Sequence, residues 1–122
     1  MPLLQCLLNI DMDNSQLVKG HCVPCEGGTE PMKKEEAETY LSLLKKPWKM
    51  SDDLTSISLR FEFKNFVRAM DFVNKVASIA EEQGHHPDIY IYYNKVDITL
   101  TTHAIKGLSV NDFLVAAKVE LL

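Results

Sequence analysis

The stretch Asp88-Ile89-Tyr90-Ile91-Tyr92-Tyr93-Asn94-Lys95-Val96-Asp97-Ile98-Thr99-Leu100-Thr101 decides the fold. Apolar and polar residues alternate on both sides of its middle, the pattern of two half-buried strands. A two-residue turn at Asn94-Lys95 predicts an antiparallel hairpin that opposes Tyr93 to Val96. Ile91 then faces Ile98, and Ile89 faces Leu100, on one apolar side. The other side pairs Tyr92 with Asp97, Tyr90 with Thr99 and Asp88 with Thr101. One step further it pairs His86 with His103. Directly opposed Cβ atoms lie about 4.5 to 5.5 Å apart, so this register predicts that the two histidines meet on the open face of the sheet. A slip of one residue would set apolar against polar side chains along the whole pair.

The neighbouring segments extend the same reading. Residues 56–63, Ser-Ile-Ser-Leu-Arg-Phe-Glu-Phe, alternate without error and predict another strand, with a short one at Trp48–Met50 turning through Ser51-Asp52-Asp53. Between strand and hairpin lies a long helix, with Asn65 as N-cap, Gln83 as its end and Gly84 as C′ residue. Phe66, Met70, Val73, Ala77 and Ala80 are its predicted core stripe, widened by Phe72, Val76 and Ile79. An earlier helix is expected from Pro31, with Ala37, Tyr40, Leu41 and Leu44 on one face and Pro47 as its stop. The last helix starts at Ser109, where Leu108, Ser109, Asp112 and Phe113 fit a capping box joined to a hydrophobic staple. Val110, Phe113, Leu114, Ala117 and Leu121 continue its inward face. Residues 1–28 read as an irregular arm and 29–122 as a single domain. The order helix, strand, strand, helix, strand, strand, helix, with short links, predicts an α+β domain whose antiparallel sheet carries its helices on one face.

Composition narrows the function. The 122 residues are 46% hydrophobic and 25% charged, which is an ordinary globular composition. Lys+Arg number 13 against 17 Asp+Glu, so the net charge of −4 argues against nucleic-acid binding through phosphates. No run reaches the roughly 18 apolar residues of a membrane span, and the first residues lack the basic flank of a signal peptide. A cytoplasmic protein with no membrane association is expected. Of the three cysteines, Cys22 and Cys25 form a lone C-x-x-C after His21. With Cys6 they could complete a zinc site, or they could be a redox pair. The ligand set is incomplete and the motif runs into Glu26-Gly27-Gly28, which favours an ordinary reduced loop.

Three of the four histidines, His85, His86 and His103, gather at the base of the hairpin. Imidazole, whose ordinary pKa is about 6.5, donates or accepts a proton near neutral pH. An acid and a base on two sides of a small molecule can catalyse an elimination without a cofactor. Metal ligation is the rival use, but adjacent histidines diverge and no H-E-x-x-H pattern accompanies them. Surface histidines at a loop are the plain alternative.

Glu81-x-x-x-His85-His86-Pro87, then Tyr93-Asn94, Thr102-His103 and Asp112, closely resemble the signature of the pterin-4a-carbinolamine dehydratases. The similarity runs from about Glu26 to the C-terminus. It implies a four-stranded antiparallel sheet with three helices on one face, and a homodimer or homotetramer. It also implies a reaction: loss of water from 4a-hydroxytetrahydropterin to give quinonoid dihydropterin, which recycles the pterin of aromatic amino-acid hydroxylases without metal or redox cofactor. Carried over by position, His85, His86 and His103 are the acid-base and ring-contacting groups. Gly84, Thr101 and Thr102 line the pterin through backbone and hydroxyl contacts, and Glu81 orients a histidine unless it is simply an exposed acid at a helix end. Asp112 supports the site and already has a structural task in the capping box. The chain departs from the family pattern at Ile89, Ile91 and Asn111, where Trp, Asn and Arg are common. Asn111 removes a possible cationic contact. Some members also bind the helical dimerisation segment of a transcription factor, so an interaction module with a helical protein partner is the alternative reading.

Overall fold

The alternating segments do become strands. In a computed structural model, which describes residues 13–23 and 29–122, they are β1 (Lys49–Met50), β2 (Ile57–Glu62), β3 (Asp88–Tyr92) and β4 (Lys95–Leu100). They form one four-stranded sheet in the order β1-β2-β4-β3, with every neighbouring pair antiparallel. Ile57, Val96, Ile98 and Leu100 on the two central strands are fully buried. They join a single core with residues from four helices among the described residues: α1 (Asn14–Lys19), α2 (Lys34–Leu43), α3 (Phe66–Gln83) and α4 (Val110–Val119). Every residue of α4 except Lys118 is buried, because this helix packs against the other three at once.

The opposite face of the sheet is polar. Arg60 Nε and Nη2 donate to the Asp97 carboxylate at 2.7 and 2.9 Å, and the guanidinium stands 5.3 Å from the Tyr92 ring centre. Those bonds hold the Asp97 carboxyl below the usual carboxylate range. The pair's contribution is therefore complete above the pKa of the unfolded carboxyl and is lost as pH falls through the lower folded value. Both side chains are exposed enough for that contribution to be small.

The local stop signals act as their chemistry requires. Asn65 caps α3 by accepting from the Arg68 N–H, and Gly84 ends it in the left-handed region at φ 64°. Ser109 and Asp112 form the expected capping box of α4. Other expectations need correction. Residues 14–19 of the supposed irregular arm form α1, held by a capping box between Asp13 and Gln16, so the described residues include four helices, three of them long. Helix α2 starts at Lys34 rather than near Pro31 and ends at Leu43, ahead of Pro47. In α3 the buried stripe is Ala69, Phe72, Val76, Ala80 and Gln83, whereas Phe66 is 48% exposed and Ala77 also faces out. The two apolar stripes differ little in hydrophobicity, and the sheet takes the one carrying Phe72, which stacks against Phe61 and Phe63. Leu121 is likewise exposed, past the end of α4.

The hairpin register also differs. The observed pairs are Ile89 with Ile98, Tyr90 with Asp97, Ile91 with Val96 and Tyr92 with Lys95. The turn is therefore Tyr93-Asn94, with Tyr93 at a φ of 51°. Asn94 is fixed there because its side chain donates to the Phe63 carbonyl at 3.0 Å while its own carbonyl accepts from the Phe63 N–H at 2.8 Å. Moving the turn by one residue shifts the register by two, which leaves every side chain on its expected face. Asp88 thus faces Thr99, not Thr101, and the ladder ends before either His86 or His103, so these two are not an opposed strand pair. Strand β3 lies at the sheet edge, which leaves Ile89 half-buried and Ile91 40% exposed instead of in the core.

One buried acid had no signal in the sequence. Glu120, just past α4, accepts from the Lys45 N–H at 2.5 Å and the Trp48 indole N–H at 2.9 Å, and so ties the end of α2 to the start of β1. Glu120→Ala leaves those buried donors unmatched and is expected to cost on the order of 3 kcal/mol in urea unfolding.

Candidate active site

Three chain segments end at one cleft. Helix α3 stops at Gly84, whose left-handed backbone needs no side chain and turns the chain sharply into His85 and His86. Strand β4 leads through Thr101 and Thr102 into a 3₁₀ turn at His103–Ile105. The start of α4 contributes Asn111. The resulting cleft, about 460 Å³, is lined by Gly84, His85, His86, Thr101, Thr102 and His103, together with Cys22, Val23, Gln83, Ala104 and Asn111. That volume falls within the range of small-molecule sites.

His85 is the most constrained of the three histidines. Its side chain is 12% exposed, and Nε2 lies 2.6 Å from Asp112 Oδ1. Asp112 is fully buried, and its other oxygen accepts from the Ser109 N–H at 3.0 Å and the Thr102 hydroxyl at 2.8 Å. The capping carboxylate is thus also the histidine's partner. A carboxylate accepts, so Nε2 carries a proton, and a neutral ring keeps its lone pair on Nδ1. Second partners of this kind fix the tautomer and direction of a working imidazole.

The other two histidines are more open. His86 Nε2 lies 2.5 Å from Glu81 Oε2, but the two side chains are 61% and 78% exposed, so water competes for both. Glu81 therefore contacts a histidine, though not a buried one. His103 heads a short loop closed by a Thr102–Gly107 bridge, with Lys106 in the left-handed region at φ 55°. Gly107 is needed where it is, since a Cβ there would stand 2.4 Å from Pro31 Cβ. The hydroxyl of Thr101 donates to the Thr55 carbonyl and that of Thr102 to Asp112. Both hydroxyl protons are thus taken up by the protein, and Thr102 Oγ1 also accepts from the Ser109 hydroxyl at 2.8 Å. Among the described residues, no three His, Cys, Asp or Glu side chains are grouped closely enough to hold one metal ion. Cys6 and Cys25 of the proposed zinc set lie outside the described residues.

Gln83 and Asn111 were not legible as cleft residues. Both are buried, and both bond to the backbone of residues 22–23. Only Asn111 carried a signal, as a departure from a family pattern.

Known proteins resemble this chain over most of its length. Residues 30–122 match the family model described as pterin 4 alpha carbinolamine dehydratase. A relative from Nitrosomonas eutropha, named as a candidate pterin-4-alpha-carbinolamine dehydratase, is 50% identical over 101 residues, covering 83% of this chain and 88% of its own. A similarly named protein from Halorhodospira halophila is 45% identical over 101 residues, covering 83% and 92%. Among solved structures, a Brucella melitensis protein titled transcriptional coactivator/pterin dehydratase superposes with a TM-score of 0.71 at 33% identity, covering 75% of this chain and 97% of its own.

Proposed function

Because this chain belongs to the pterin-4a-carbinolamine dehydratase family of hydro-lyases, we propose that its cleft removes water from a 4a-hydroxytetrahydropterin by histidine acid-base catalysis. The observation that carries this reading is the meeting of His85, His86 and His103 on one cleft, with His85 held by a buried carboxylate. The C4a hydroxyl leaves as water after taking a proton, and N5 loses a proton, so the product is the quinonoid dihydropterin. His85 is suited to accept the N5 proton at Nδ1, since Asp112 fixes Nε2 as the protonated nitrogen and stabilises the imidazolium that forms. The more open His86 and His103 supply the proton to the departing hydroxyl and contact the ring. Gly84, Thr101 and Thr102 bound the pterin, and Glu81 steadies His86. The reaction is one step in recycling the pterin oxidised by aromatic amino-acid hydroxylases, and its product still needs a two-electron reduction to reach the tetrahydro level.

A stopped-flow absorbance assay with hydroxylase-generated carbinolamine tests the reading. The protein should accelerate dehydration in proportion to its concentration, and His86→Ala should lower turnover by about 10²-fold. No acceleration, or a fully active variant, counts against it.

The exposed apolar residues of α3, Phe66 at 48% and Val67 at 67%, support self-association as a homo-oligomer. Sedimentation at the mass of a dimer or above is expected. A strict monomer would instead favour the interaction-module reading, with a helical protein partner on that face. No helix among the described residues is long and apolar enough to cross a membrane.

A further inference from the structure

We propose that Cys22 and Val23 of the N-terminal arm are a built wall of the substrate cleft, and that Gln83 and Asn111 are positioning residues that set substrate affinity by pinning this wall. The inference rests on the reading of the cleft as the pterin site.

The arm reaches the cleft along a fixed route. Leu17 of α1 is fully buried, and the Lys118 ammonium donates to the Val18 carbonyl at 2.5 Å. Gly20 passes so close to α4 that a Cβ would stand 2.6 Å from Leu114 Cδ2. Beyond Gly20 the chain runs to Cys22 and Val23, which line the same cleft as the three histidines.

Two buried amides hold it there. Asn111 Oδ1 accepts from the Val23 N–H at 3.0 Å, and its Nδ2 donates to the Val23 carbonyl. One side-chain amide thus pairs with both backbone groups of Val23, much as an adjacent strand would. From the other side, Gln83 Oε1 accepts from the Cys22 N–H at 2.8 Å, and its Nε2 lies 3.4 Å from His21 Nδ1. Gln83 is the last residue of α3, directly before Gly84 and the two histidines, and Asn111 directly precedes Asp112. The residues that position the wall are therefore chain neighbours of those that position His85.

The Asn111 amide is spent on the arm, and the arm supplies a neutral wall of Cys22 and Val23. The docking runs through the backbone of Cys22 and Val23 and through the Cys22 thiol, which donates to the Asn111 carbonyl at 3.7 Å. Such a wall fits an uncharged, flat edge of the pterin, and its contacts differ little between substrate and transition state. Its loss should therefore appear in KM more than in kcat.

The test uses the full-length protein. Gln83→Leu removes the acceptor for the Cys22 N–H and should raise KM about 10-fold, while kcat falls no more than about 3-fold. Gln83→Glu restores an acceptor and should return KM to within about 3-fold of wild type. A second measurement needs neither turnover nor a clamp variant. In protein carrying Cys6→Ser and Cys25→Ser, alkylation of Cys22 by iodoacetamide is followed with and without 7,8-dihydropterin. Ligand at about ten times its Kd should slow alkylation about 10-fold. Wild-type KM in Gln83→Leu, or alkylation of Cys22 unaffected by bound dihydropterin, overturns the proposal. Failure of the parent reading looks different: the wild-type protein would not dehydrate the carbinolamine. Protection of Cys22 would then still support the wall, and dihydropterin that binds without protecting Cys22 would refute it.

Discussion

His85→Gln is expected to lower kcat for carbinolamine dehydration by about 10² to 10⁴-fold while leaving the fold intact. Glutamine is close in reach to the imidazole, and its amide N–H can keep the bond that Asp112 now receives from Nε2 at 2.6 Å. What it lacks is a group that takes up and releases a proton. The side chain is 12% exposed and borders the cleft, so its packing changes little. A variant that unfolds at the wild-type urea midpoint yet has lost turnover would separate proton transfer from structure. Glu81→Gln is the contrasting case, because its histidine partner is exposed and its loss should cost about 3-fold or less. Stopped-flow turnover and urea midpoints, measured side by side, check both.

Asp112→Asn should damage stability and catalysis together. The carboxylate is completely buried and accepts from three donors: His85 Nε2, the Ser109 N–H and the Thr102 hydroxyl. An amide turns an NH₂ group toward at least one of them, leaving a buried donor facing a donor. The expected cost is about 2 to 3 kcal/mol, the scale for leaving a buried donor without its charged acceptor. For a domain of this size, that lowers Tm by roughly 8 to 15 °C. With its NH₂ toward His85 the amide can only donate, which favours the tautomer with the lone pair on Nε2 and the proton on Nδ1, so kcat of the folded fraction should fall by a further 10² to 10⁴-fold. Calorimetry with turnover measured well below Tm distinguishes the two effects. Asp112→Asn with wild-type Tm would mean that the buried network is not what holds the start of α4.

What the sequence disclosed follows from the range over which each signal acts. Asn65, Gly84 and the Ser109–Asp112 box mark helix ends through bonds to residues three or four positions away, so a local reading finds them. The alternation in residues 56–63 and 88–101 settles which side chains face the core. It is blind to a shift of two, and the register was set instead by Asn94 bonding to Phe63 on another strand. The expected opposition of His86 and His103 failed for that reason, although the cleft still includes both. Asp112 was legible in one role only, because its bond to His85 spans 27 positions. Gln83 reads only as a helix end and Asn111 only as a departure from the family pattern until the arm that they hold is in place, and α1 is too short to show a period.

The most direct test of the central claim, that the histidine cleft performs the dehydration, is a stopped-flow comparison of wild type with His103→Ala on freshly generated 4a-carbinolamine. His103 sits on a closed surface loop, and its side chain is exposed, so the substitution should spare the fold. Wild type should accelerate dehydration strongly, and the variant should retain a residual rate of about 1% or less. Equal rates for the two proteins, or no acceleration by either, would contradict the claim.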